Sequence, residues 1–221
     1  MILIAWRLIF LHAPKTGGNA MQRLLQPCSD DRLVIGGKQD GTDRFGVRGP
    51  ITPHKHATLQ EYADAMKGGL EGWRIALTVR DPLARAVSHY FSPHRWARPD
   101  GAGGWRLKTP VWDRDAFLDM LPEMKSLVDF VTLDGGVRRP DHLIRQERLA
   151  QDFSDFVRTA RIPIDASALE IVNASAGNAS LREQVMADPA VRKAVTQRFA
   201  ADYELLTAFS ATSDEMVTLP A

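Results

Sequence analysis

The chain has 221 residues, 44% of them hydrophobic and 25% charged, and a formal net charge of +1. That composition is ordinary for a globular protein with a sizeable core, and the near-zero charge excludes bulk attraction to nucleic acid or anionic membranes, so any anion must be held locally. The single cysteine, Cys28, excludes an intrachain disulfide and a cysteine metal cage. Arginine outnumbers lysine by 21 to 7, a bias that a GC-rich genome explains as readily as a preference for bidentate anion contacts.

In chain order, the apolar residues 2–11 read as a buried strand. Arg7 interrupts this run and no basic segment precedes it, so it does not read as a signal peptide. No later run reaches the roughly 20 apolar residues that cross a bilayer. The expectation is a soluble cytoplasmic protein in which the Asn-Ala-Ser triplets at Asn173 and Asn178 are unglycosylated. A loop at 12–18 leads into a helix over 19–26. Residues 29–53, rich in Gly, Asp and Pro, read as an irregular excursion. Residues 57–66 have helical spacing, with Leu59, Tyr62, Ala63 and Met66 on one face. Residues 73–79 read as a buried strand. Asp81 then caps a helix with Pro82 at its first position, running to Phe91.

A polar insertion at 92–114 carries three of the five tryptophans. "AFLDMLPEM" and "SLVDFVTL" follow, the second read as a strand or strand edge. "HLIRQERLAQDFSDFVRTA" reads as strand, turn and helix. The last helix spans Pro189–Leu206, with Val191, Val195, Phe199, Tyr203 and Leu206 on one face. Alternating strands and helices predict one α/β domain over 1–221. It is a three-layer, P-loop-like arrangement with a central parallel sheet flanked by helices. Sites in such sheets lie at the carboxyl ends of strands.

Two motifs fall at those ends. In "HAPKTGG", Gly17 and Gly18 let backbone amides approach an anion without interference from a Cβ, and the helix behind adds about half a positive charge. Lys15 supplies a full charge, and Thr16 and Asn19 supply side-chain donors. The lysine precedes the glycines, so this is not the G-x-x-x-x-G-K-[ST] loop of nucleotide hydrolases. A plain Gly-Gly turn beside an exposed lysine is the alternative. In "ALTVRDPLARAVSHYF", Arg80 leaves a strand and Ser88 lies along the following helix, where charge and hydroxyl can hold a second phosphate. A surface arginine and an uninvolved serine are the alternative here.

Together the motifs resemble the sulfotransferase superfamily, specifically the carbohydrate branch that includes heparan sulfate 2-O-sulfotransferases and bacterial relatives. "PHKHATLQEY", "HLIRQERLAQDF" and "IVNAS…AADYELL" extend the resemblance over residues 8–206, with unmatched loops at 29–52 and 92–114. The resemblance implies that Lys15, Thr16, Gly17, Gly18 and Asn19 bind the 5′-phosphosulfate of 3′-phosphoadenosine 5′-phosphosulfate (PAPS). It implies that Arg80 and Ser88 bind its 3′-phosphate, and that 3′,5′-bisphosphoadenosine (PAP) is the product. Asn19 replaces the serine or threonine usual in that family, and its amide can still donate to a phosphate oxygen.

Lys15 suits the charge that develops on the leaving phosphate. Of six histidines (12, 54, 56, 89, 94 and 142), the resemblance points to His56 as general base, with His54 in reserve. His12 reads as a residue that shapes the loop, and His89 as a packed or surface helix residue. Trp96, Arg98 and Trp105 in the insertion combine aromatic faces with cations and suit a carbohydrate or other hydroxylated acceptor. A surface loop pinned by buried tryptophans is the other reading. No metal is implied. Three rivals remain: a glycosyltransferase using Asp113 and Asp115 of "DRD" as a metal site, a small-molecule kinase of related fold, and a non-catalytic nucleotide-binding protein.

Overall fold

The computed structural model describes residues 1–31, 33–34, 47–67, 69–170 and 179–215. Ile2–Leu3 (β1) and Leu8–His12 (β2) are linked by a 3-10 turn at Ile4–Trp6, with Arg7 left-handed at φ 46°. The expected single strand over 2–11 is therefore a hairpin. Arg7 reverses the chain, and the Trp6 indole donates to the Arg161 carbonyl at 2.9 Å to fix the turn. The turn residues Ile4-Ala5-Trp6 are themselves apolar, so no polar gap announces it.

Gly18–Leu25 forms α1, and Leu33–Val34 (β3) pairs antiparallel with Val47–Arg48 (β4). The rest of the excursion expected at 29–53 lies partly outside the described residues. Leu59–Ala65 (α2) starts on a capping box in which Thr58 and Glu61 exchange hydrogen bonds. Arg74–Val79 is β5, and Pro82–Tyr90 is α3, with the Asp81 carboxylate accepting from the Ala84 amide at 2.8 Å. The insertion is more regular than expected: a short helix Pro93–Trp96 (α4) and a hairpin of Ala97–Pro99 (β6) with Trp105–Leu107 (β7).

Arg114–Met120 (α5) and Leu127–Val131 (α6) follow. Residues 126–133 are thus mostly helix, because Ser126 and Asp129 form a second capping box. Only Thr132–Leu133 (β8) is strand, paired with Gly136–Val137 (β9). His142–Arg145 (β10) and Leu149–Ala160 (α7) match the expected strand, turn and helix. Ala179–Ala187 (α8), Pro189–Arg198 (α9) and Ala200–Glu215 (α10) complete the order. The single C-terminal helix expected over 189–206 is thus two. It breaks at Phe199, which is buried in one core cluster, while Asp202 turns inward to the amides of Leu127 and Val128. Val191, Val195 and Phe199 share the first cluster, and Leu206 packs elsewhere. Asn173 and Asn178 lie outside the described residues.

The central sheet has the order β1-β2-β5-β10. β2, β5 and β10 are parallel and β1 is antiparallel, so the sheet is mixed where a parallel one was expected. Strand alternation sorts its side chains. Phe10, Ala76 and Ile144 face α1 and α7, packing with Met21, Leu25, Phe153 and Phe156. Ile9, Leu11, Ile75 and Leu77 face α2 and α6, packing with Leu59, Tyr62, Leu127 and Phe130. Helices therefore cover both faces. Each fully buried large side chain such as Phe10 contributes about 1.5–3 kcal/mol. A third cluster joins α3, α5, α8 and α9 through Val87, Tyr90, Phe117, Val185 and Val195. Among the described residues, no helix is long and apolar enough to cross a membrane.

Candidate anion-binding site

The site is built where β2 and β5 end side by side. After His12 the chain turns through Lys15, held left-handed at φ 70°, and Gly17 at φ 82°. A left-handed lysine costs on the order of 1 kcal/mol, and the surroundings hold it in place. The Arg80 guanidinium donates to the Lys15 carbonyl at 3.4 Å, and Lys15 Nζ donates to Ser92 Oγ at 3.3 Å. The two sequence motifs, 65 residues apart, thus meet at Lys15.

Thr16 is fully buried, and its hydroxyl donates to the Ala13 carbonyl at 2.7 Å while accepting from Thr78 at 2.6 Å. The expected side-chain donor is therefore spent on fastening the loop to β5, and Thr16 has only its backbone amide for a ligand. Gly18 lies on the His12 imidazole: an added Cβ would come within 2.2 Å of the ring. Helix α1 has Gly17 as its N-cap and no side-chain cap, whereas Thr58, Asp81, Asp113, Ser126 and Asp188 each cap a helix. The first-turn amides of α1, from Gly18 and Asn19 on, are left for water or an anion.

Burial and the nearby Arg182 and Arg80 guanidinia lower the Lys15 pKa to about 8. Arg182, on α8, lies over the Phe91 ring at 5.3 Å. The Nε atoms of Arg80 and Arg182 are both buried without a hydrogen-bond partner. Three cations facing one another, two of them with an unsatisfied donor, make a site complementary to a multiply charged anion. Ser88 is buried on α3, and among the described residues no hydrogen bond joins it to Arg80.

The histidines separate clearly. His56 Nδ1 donates to the His12 carbonyl at 2.8 Å, and the two rings stack edge-to-face at 4.7 Å. A carbonyl can only accept, so Nδ1 carries the proton and Nε2 keeps its lone pair. Burial, reinforced by Lys55, His54 and Arg85, lowers the His56 pKa to about 4 although the His12 carbonyl opposes it. His56 is therefore neutral near pH 7. His54 accepts from the His56 amide at 3.3 Å and turns Nε2 to Glu61 Oε1 at 2.8 Å, so both its ring nitrogens are committed. His89 Nδ1 is buried without a partner, and burial with nearby Lys15 and Arg85 lowers its pKa to about 4.

Trp96 and Arg98 line a cleft of about 440 Å³ with Tyr90, Arg95 and Val111. Trp96 is partly a scaffold residue, its indole donating to the Tyr90 carbonyl at 2.9 Å. Trp105 is not among the residues lining that cleft and stands on β7, 42% exposed. A second cavity, of about 390 Å³, runs from Arg80 and Glu147 along β10 to Asp141.

Asp113 caps α5, its carboxylate accepting from the Ala116 amide at 3.0 Å, and Arg114 bonds Asp188 at 2.9 Å. Two of the three residues of the "DRD" triplet thus have structural roles. Among the described residues, no group of three or more His, Cys, Asp or Glu is placed to hold a metal.

Sequence reasoning missed three residues. Arg85, 2% exposed, donates to the carbonyls of Pro14 and Lys125 at 3.1 and 2.7 Å and faces Asp202 at 3.7 Å, tying the loop to α6 and α10. Its partners Pro14, Lys125 and Asp202 are all distant in sequence, so nothing local announces it. Ser92 and Arg182 carry no local signal at all. Comparison with protein families, curated proteins and solved structures gives no match to this chain.

Proposed function

We propose that the chain is a PAPS-dependent sulfotransferase of P-loop-like fold, acting on a hydroxyl of a carbohydrate or other small hydroxylated acceptor. The observation that carries this reading is the junction of the two motifs, where Arg80 donates to the carbonyl of the strained Lys15 and both cations face Arg182. The α1 amides hold the 5′-phosphate, and Arg80 serves the 3′-phosphate. His56 Nε2 takes the proton of the acceptor hydroxyl as its oxygen attacks sulfur. The bond from sulfur to the bridging phosphate oxygen breaks in line, and Lys15 neutralises the charge left on that phosphate. The transfer calls on no metal. Trp96 and Arg98 are the proposed acceptor contacts.

The test is PAP release from PAPS in the presence of a panel of hydroxylated acceptors, with and without EDTA. Acceptor-dependent release that survives EDTA is expected. Phosphoryl transfer from ATP instead would favour the kinase, and a strict need for a divalent metal would favour the glycosyltransferase.

A further inference from the structure

Among the described residues, three of the five exposed large hydrophobic side chains fall in one seven-residue stretch: Trp105 is 42% exposed, Leu107 51% and Val111 64%. The strand register pairs Pro99 with Trp105, Arg98 with Arg106 and Ala97 with Leu107. Residues directly opposed in a pair share a face. Trp105, Leu107 and Pro99 therefore make one face of the hairpin, and Arg98 stands directly against Arg106 on the other. Like charges so placed repel, and exposed Lys108 follows on the same strand.

This hairpin is rigidly built. Lys108 N–H donates to the Trp96 carbonyl at 2.9 Å. The Asp100 carboxylate accepts from the amides of Ala102 and Gly104 at 2.8 and 2.9 Å, so the one acidic side chain of the hairpin is occupied in its turn. The fold thus holds the exposed Trp105 and Leu107 on one face of the hairpin and the exposed Arg106 and Lys108 on the other.

We propose that this hairpin docks the protein on an anionic lipid bilayer, with Trp105 and Leu107 at the boundary between headgroups and acyl chains. Arg106 and Lys108 meet the lipid phosphates. Tryptophan prefers that boundary, and long basic side chains reach from an apolar surface to the headgroups. Leucine gains nothing from a sugar hydroxyl, and a second copy of this hairpin would bring its own cations against these. Ser92, which holds Lys15, is five residues from Ala97, a reach of at most about 18 Å. Docking therefore keeps the Lys15 loop near the bilayer. The proposal does not rest on the sulfuryl-transfer reading.

The test is co-sedimentation of the full chain with vesicles of phosphatidylcholine alone and of phosphatidylcholine mixed with phosphatidylserine. Binding is expected only to the anionic vesicles and should weaken as salt rises. At about 1 kcal/mol for each surface cation, R106Q/K108Q should bind about thirtyfold less tightly. W105S/L107S should lose binding while keeping the parent melting temperature, since both side chains are exposed. No binding to anionic vesicles, equal binding to neutral ones, or binding that W105S/L107S leaves intact would overturn the proposal. So would a dimer in solution that W105S/L107S converts to monomer, because a second copy would then cover this face. Binding of a soluble acidic glycan without vesicle binding would overturn it too, by assigning the cations to that partner.

Discussion

The Nδ1–H of His56 is held by the backbone carbonyl of His12, the last residue of β2, at 2.8 Å. This one bond fixes the tautomer of His56, aims Nε2 away from the strand, and ties the ring to a point three residues before Lys15. A neutral imidazole with pKa near 4 and a lysine with pKa near 8 then stand at the same strand end.

The base must be unprotonated and the lysine protonated. Activity read as kcat/KM should therefore be bell-shaped, falling as pH drops through about 4 and again as it rises through about 8. His56→Gln should lower the rate by about 10²–10⁴-fold, remove the acid limb, and leave PAP affinity unchanged. His54→Gln should do neither, because both His54 nitrogens serve the His56 amide and Glu61.

Buried histidines also set the acid sensitivity of the fold. His12, His56 and His89 all have pKa values lowered from 6.5, chiefly by burial. Between about pH 6.5 and 4 the unfolded chain binds protons that the folded chain refuses, so stability falls as pH falls through that window. The expected loss is on the order of a few kcal/mol, seen as a falling urea midpoint. His56→Gln should flatten the slope. A midpoint constant across that window would contradict the assigned burial.

Gly18 lies against His12, and a methyl group there would sit 2.2 Å from the imidazole. Gly18→Ala should therefore cost about 1–3 kcal/mol by overpacking and weaken anion binding by displacing the first amide of α1. Gly17→Ala meets Leu149 at 3.2 Å and keeps an unfavourable φ of 82°, and should cost about 1 kcal/mol. Thermal melts with and without PAP separate the two effects.

Arg85 and Asp202 form a buried pair in which the carboxylate also accepts from the Leu127 and Val128 amides. Arg85→Met leaves that carboxylate without its cation and also frees the Pro14 carbonyl. The expected loss is about 3–5 kcal/mol, measured by denaturant unfolding. Arg85→Met/Asp202→Asn should recover part of it. A loss below about 1 kcal/mol would show that the pair does not carry the loop.

What the sequence made legible was local. Asp81 with Pro82 announced its helix because capping chemistry lies within four residues, and the spacing of Leu59, Tyr62 and Met66 announced α2. The strand-loop-helix around Lys15 was legible from an apolar run, a pair of glycines and the helical spacing that follows. Features set by distant partners were not. Burial of Arg85 depends on Asp202, the split of α9 from α10 depends on where Phe199 and Asp202 are drawn, and Arg182 reaches Lys15 only through the packing of α8. His54 and His56 looked alike in the sequence, and Glu61 and the His12 carbonyl separate them. Apolar turn residues at Ile4–Trp6 concealed the β1–β2 hairpin, and the paired arginines of β6 and β7 became opposed only once their register was fixed.

The most direct measurement is thermal stabilisation by PAP, with ATP in parallel and with Lys15→Ala and Arg80→Ala as controls. At a ligand concentration 100 times Kd, linkage gives about 2.7 kcal/mol of added stability, a rise of a few degrees for a chain this size. The account predicts that rise with PAP, little with ATP, and a smaller shift in each variant. No shift with PAP, an equal shift with ATP, or a full shift in Lys15→Ala would contradict it.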